Sequence, residues 1–182
     1  MKICVIGGGI NGLCCAWTLA KDGHIVELYE RGKLARETSQ ASSKLLHGGL
    51  RYLEQGQFRL VRESLRERDG WLQRAPNLAK PLQLILPIYR HSRRGRCVIS
   101  AGLFLYGHIA GRSILPDSTW LTADELLQRD PYLQTEGLEG GYAFYDGQMD
   151  DYQLALWVAE QAKQAGAQLT EETAIQAVDT QG

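Results

Sequence analysis

Hydrophobic and polar positions follow several distinct rhythms along this 182-residue chain. Lys2–Ile6 (KICVI) is a short apolar run and predicts a buried parallel strand. Glycines follow at once, and Ile10–Lys21 carries a helical pattern. Residues 25–30 (IVELYE) alternate and predict a second strand. Strand, tight turn, helix and strand fit within about 30 residues, the size of one βαβ crossover. Residues 31–43 are polar and aperiodic, which predicts a loop. Residues 54–74 predict a long helix with an apolar stripe of Phe58, Val61, Leu65 and Leu72, ended near Pro76 and Pro81. Residues 83–89 are strand-like, with Pro87 favouring an edge or a bulge. Residues 98–109 predict an apolar helix that Gly111 can end. Thr122 and Glu125 have capping-box spacing before a short helix over residues 122–128. Residues 130–147 are rich in turn residues and aromatics. Asp150 or Asp151 can cap a helix to about Ala165, Gly166 stops it, and Gln168–Thr170 starts another strand.

Composition narrows the class. With 44% hydrophobic and 23% charged residues the chain is an ordinary globular one, so disordered and fibrous classes are excluded. A net charge of −1 provides no global field for nucleic acid. Cys4, Cys14, Cys15 and Cys97 show no CxxC spacing, and no histidine pair completes a metal site. They are expected to be small buried thiols in a reducing cytosol. His24, His91 and His108 form no recognisable constellation. The apolar stretch over residues 97–110 is shorter than the roughly 20 residues that span a bilayer, and no signal-peptide pattern opens the chain. A basic run of Arg90, His91, Arg93, Arg94 and Arg96 reads chiefly as a solvated face.

The sharpest local motif is Gly7-Gly8-Gly9-Ile10-Asn11-Gly12, a GxGxxG set between a strand and a helix. Gly7 permits the tight turn, Gly9 lets backbone approach a pyrophosphate, and Gly12 lets the helix pack on the strands. The helix N-terminus, with Asn11 in its first turn, offers unpaired N–H groups and partial positive charge to phosphates. Glu30 ends the second strand and can accept hydrogen bonds from ribose hydroxyls. Its carboxylate would repel a 2′-phosphate, which disfavours NADP; Arg31 follows it. The motif alone does not separate FAD from NAD, nor from a glycine turn that binds no nucleotide.

Residues 38–54 read TSQASSKLLHGGLRYLE. This resembles the signature of FAD-dependent glycerol-3-phosphate dehydrogenases. The resemblance continues at residues 58–63, 75–78, 101–106 and 150–151, so it covers essentially the whole chain. It implies FAD as cofactor and an α/β fold: a Rossmann-like FAD-binding domain with a mostly parallel sheet, interrupted by a cap. The expected domains are residues 1–75, a cap or substrate region at 76–147, and a return to the FAD domain at 148–182, cut off inside that domain. Thr38, Ser39, Ser42, Ser43 and Lys44 would lie along the cofactor phosphates. His47, Gly48 and Gly49 would lie beside the flavin, the glycines leaving room for the ring. Arg51 and Tyr52 would reach the substrate, an arginine fork suiting a phosphate monoester.

The reaction implied by the resemblance is oxidation of sn-glycerol 3-phosphate to dihydroxyacetone phosphate, with hydride passing from C2 to flavin N5 and electrons then to a quinone. No catalytic base is assignable. The same resemblance implies a cytoplasmic protein, peripheral on the inner face of the membrane, and an isolated segment that is inactive and self-associates through uncovered apolar surface. The alternatives are an amino-acid-oxidase-like flavoenzyme and an inactive flavin-domain fragment.

Overall fold

The computed structural model describes residues 1–111 and 113–179. The expected termination near residues 180–182 lies outside the described residues. In chain order the elements are β1 (Lys2–Ile6), α1 (Ile10–Lys21), β2 (Ile25–Tyr29), a 3-10 turn (Thr38–Gln40), β3 (Leu45–Leu46), α2 (Leu50–Leu53), α3 (Phe58–Arg74), β4 (Ala79–Tyr89), α4 (Arg96–Ala110), β5 (Thr119–Leu121), α5 (Ala123–Arg129), β6 (Leu138–Met149), α6 (Asp151–Gln164) and β7 (Gln168–Thr170). They divide into two compact units, one of Met1–Lys44 with the chain from Met149 onward, the other of Leu45–Gln148. Residues 45–75, grouped by sequence with the first segment, pack within the second unit, because the buried stripe of α3 closes on Tyr106 of α4.

The first unit is a parallel sheet of order β1-β2-β7. Lys2 pairs with Ile25, and Glu27 with Gln168. Val26 and Leu28 of β2 are buried, as are Leu13, Ala16 and Ala20 of α1 and Leu154, Ala155, Val158, Ala159 and Ala162 of α6. The alanines let α1 and α6 lie side by side, where Trp17 meets Trp157 edge to face at 5.6 Å between centroids. Right-handed crossovers put both helices on one face of the sheet.

Two expectations are corrected here. Among the described residues β1 pairs only with β2, so it is a sheet edge and not a buried strand; Ile6 is 59% exposed. The cysteines are not core thiols either: Cys4, Cys15 and Cys97 are exposed and Cys14 is half-buried. Cys4 sits on that uncovered strand, and Cys15 lies off the Leu13, Ala16 and Ala20 stripe of α1.

In the second unit β6 lies between β3 and β4, and β5 also pairs with it. The β3–β6 and β5–β6 pairings are antiparallel. Side chains of α3 at 61, 65, 68 and 72 face inward, the helical spacing of one stripe. The long helix starts at Phe58, not at residue 54, because Gly56 at φ +69° turns the chain after the short α2. Residues 130–147, expected as turns, contain most of the 12-residue strand β6. Thr122 closes the expected capping box with Glu125. Among the described residues, no helix is long and apolar enough to cross a membrane.

Candidate functional site

The glycine turn is built for close approach. Gly7 sits at φ +104° and donates its N–H to the Tyr29 carbonyl at 2.9 Å, which ties the turn to the end of β2. Gly12 brings α1 onto that turn: a Cβ there would stand 2.0 Å from the Gly7 oxygen and 3.5 Å from Val5. Gly8 also has no room, since a Cβ would come within 2.5 Å of Leu34 and 2.9 Å of the Glu30 Cβ. Gly9 is the extended N-cap residue of α1 and supplies no side chain to cap it. The Ser39 hydroxyl, arriving from the 3-10 turn, accepts the Ile10 N–H at 2.9 Å. Among the described residues the N–H groups of Asn11 and Gly12 have no acceptor. That is the donor set a helix N-terminus offers to an anion.

Glu30 faces this turn. One carboxylate oxygen accepts the Gly8 N–H at 2.6 Å and the other the Gly32 N–H at 2.9 Å. The Gly32 bond, then the Gly8 bond, holds its carboxyl below the usual glutamate range. The group is therefore ionised and fixed, with lone pairs left for ribose hydroxyls. Asn11 and Arg31 are exposed at the turn's margin.

Residues 42–44 are organised from beneath by Asp151, a residue expected as a helix cap and part of the family resemblance but not as a site residue. Its side chain is 2% exposed. One oxygen takes the Ser42 hydroxyl at 2.8 Å and the Ser42 N–H at 3.1 Å; the other takes the Lys44 ammonium and the Tyr152 N–H, each at 2.9 Å. Burial alone would raise the Asp151 pKa, but the bonds from Lys44, Ser42 and Tyr152 outweigh it and hold the carboxyl down at about 2. Ser42 and Lys44 thus spend hydrogen bonds within their own loop, and the Lys44 charge is offset by Asp151. Thr38 and Ser43 are exposed.

The remaining candidates belong to the second unit. Gly48 is buried and donates its N–H to Asp146 at 3.1 Å. Its missing side chain makes room for the protein's own Tyr106 and Leu65, since a Cβ would meet the Tyr106 hydroxyl at 1.9 Å and Leu65 at 2.3 Å. Gly49 sits at φ +83°, where it starts α2. His47 is 57% exposed, with Nδ1 3.8 Å from an Asp146 oxygen. Arg51 and Tyr52 are exposed on α2, and among the described residues no carboxylate pairs with Arg51.

Beneath this loop lies a charged group that sequence reasoning missed. Arg68 is 3% exposed and reaches Asp146 at 3.2 Å, Asp69 at 2.8 Å and the Ser113 hydroxyl at 3.1 Å. The signal was available, because Arg68 falls on the buried stripe of α3. Tyr106 adjoins Arg68 without a hydrogen bond of good geometry, and burial pushes its phenol pKa well up. In the basic run, Arg94 pairs with Glu54, and Arg96 stacks over the Trp120 ring at 4.0 Å.

The glycine turn, the open helix N-terminus behind it and the fixed acid after β2 define a dinucleotide-binding α/β protein. The chain belongs to the FAD dependent oxidoreductase family, which it matches over residues 2–182. The cofactor of that family is FAD. The chain is 44% identical over 167 residues to a glycerol-3-phosphate dehydrogenase of Pseudomonas aeruginosa, covering 91% of this chain and 31% of the relative. It is 41% identical over 176 residues to one of Synechocystis, covering 96% and 32%. It therefore spans about a third of the curated relatives it matches. It shares the fold of the glycerol-3-phosphate dehydrogenase of Bacillus halodurans solved with FAD, at a TM-score of 0.70 and 24% identity, over 99% of this chain and 28% of that one.

Proposed function

We propose that this chain is the dinucleotide-binding part of an FAD-dependent glycerol-3-phosphate dehydrogenase. The observation that carries the reading is Glu30, fixed by Gly8 and Gly32 beside an open helix N-terminus. The residues fit the cofactor: the N–H groups of Asn11 and Gly12 and the Ser39 hydroxyl meet the diphosphate, and Glu30 accepts from the adenosine ribose. FAD, when bound, supplies the hydride acceptor for C2 of the substrate. Ser42 and Lys44 act by holding the shape of the loop through Asp151, while Thr38 and Ser43 lie exposed along the loop and Arg31 lies exposed beside Glu30. Gly48 and Gly49 set the backbone that presents His47. Arg51 binds the substrate phosphate through its two-pronged fork, and Tyr52 orients the glycerol part. A quinone at a cytoplasmic membrane face is the proposed electron acceptor.

Two measurements test this. Titration of the chain with FAD and with NAD, followed by flavin and tryptophan fluorescence, should show saturable binding of FAD alone. In the complete enzyme, sn-glycerol 3-phosphate should reduce a dye acceptor where amino acids do not. Preference for NAD sinks the cofactor assignment, and turnover of amino acids sinks the substrate.

A further inference from the structure

A groove of about 670 Å³ in the second unit runs between α3 and the end of α4. Arg59, Arg62 and Arg66 line it, with Phe58, His108 and Ile109. The arginines follow at i, i+3 and i+7, so they share one face of α3. Among the described residues only Arg59 has a carboxylate partner, Glu63 at 2.9 Å, and none pairs with Arg62 or Arg66. The other two arginines of α3 are committed, Arg68 to Asp69 and Asp146, Arg74 to Glu67 and the Trp71 ring. Like charges at this spacing destabilise a helix. An anion in the groove would offset that repulsion. Half-exposed Phe58 and partly buried Ile109 give the groove an apolar wall. The groove shares no residue with the glycine turn, nor with Arg51 and Tyr52.

We propose that this groove binds a phosphate ester, held by the guanidinium forks of Arg62 and Arg66 and by Arg59 shared with Glu63, with the carbon portion against Phe58 and Ile109. Planar forks suit phosphate oxygens, and the groove is open enough for either a free phosphate compound or an acidic lipid head group.

The test follows the arginine Nε–H signals of the isotope-labelled chain during titration with inorganic phosphate, with sodium chloride at equal ionic strength as control. A parallel arm measures sedimentation with vesicles of phosphatidylglycerol or phosphatidylcholine. The Arg62 and Arg66 signals should shift saturably with phosphate and not with chloride. Sedimentation with phosphatidylglycerol but not phosphatidylcholine would assign the lipid source; phosphate response without sedimentation would assign a free phosphate compound. Arg62→Gln with Arg66→Gln should weaken the response at least about tenfold, with unchanged circular dichroism. Arg62→Lys with Arg66→Lys keeps the charge, loses the forks, and should fall between. No response to phosphate or phosphatidylglycerol overturns the proposal, as does a response that chloride reproduces or the glutamine variant retains.

Discussion

Gly12 and Gly7 are in contact through an absence: a Cβ on Gly12 would lie 2.0 Å from the Gly7 carbonyl oxygen. That oxygen is backbone and cannot swing aside. Gly12→Ala must push α1 off the turn, and we expect a loss of about 3 kcal/mol together with flavin binding. Gly7→Ala meets no atom within 4 Å, yet φ +104° strains any side chain, at a cost of about 2 kcal/mol. Urea denaturation of both variants checks the order, which should be Gly12 worse than Gly7.

Glu30→Gln replaces an oxygen that accepts an N–H with an amide that cannot. One of the Gly8 and Gly32 donors then loses its partner, for about 1–2 kcal/mol. FAD affinity should fall at least about tenfold, because the turn loosens and the ribose loses an anionic acceptor. Wild-type affinity in this variant would remove Glu30 from the site.

Asp151 makes the fold sensitive to acid. Its folded pKa of about 2 lies below the ordinary 3.8, so the ionised form stabilises the fold above pH 4. That contribution, about 2 kcal/mol, is lost as pH falls from 4 toward 2. Lys44→Met removes one of the bonds that hold the pKa down, so the acid midpoint should move to higher pH. Acid titration followed by circular dichroism measures the shift, and a midpoint identical to wild type would contradict it.

Tyr106→Phe should cost little or even stabilise, because the hydroxyl it removes is buried without a good partner. Gly48→Ala drives a methyl into that hydroxyl and into Leu65, and should cost about 3 kcal/mol. Combining the two should recover part of the loss, Leu65 remaining in the way. A thermal-melt double-mutant cycle with no coupling would mean that Gly48 is held for another reason.

The first βαβ unit was legible because its rhythm changes from strand to helix and back at glycines whose roles are local. Strand β6 was not. Its Gly140, Gly141 and Gly147 look like turn residues, yet each admits a neighbour: Trp120 within 2.4 Å of a Cβ at 140, the Leu86 carbonyl within 2.6 Å at 141, and Leu46 within 2.9 Å at 147. In that sheet glycine signals crowding, which only the paired strands reveal. Ser42 and Lys44 were correctly singled out as a special loop, but their partner Asp151 lies 107 residues beyond Lys44. No local pattern encodes such a pairing. Arg68 was readable in principle, as the one charged member of an otherwise apolar stripe.

The outer side of β1 carries a last consequence. Among the described residues this strand pairs on one side only, which leaves a ladder of amide and carbonyl groups unanswered along the other, with Ile6 and Cys4 standing nearby. Such a rim recruits whatever extended segment drifts past, a second molecule included, and adjacent thiols can then weld a chance encounter into a covalent one. Light scattering across a dilution series, with and without a reductant, would measure how far this rim does so.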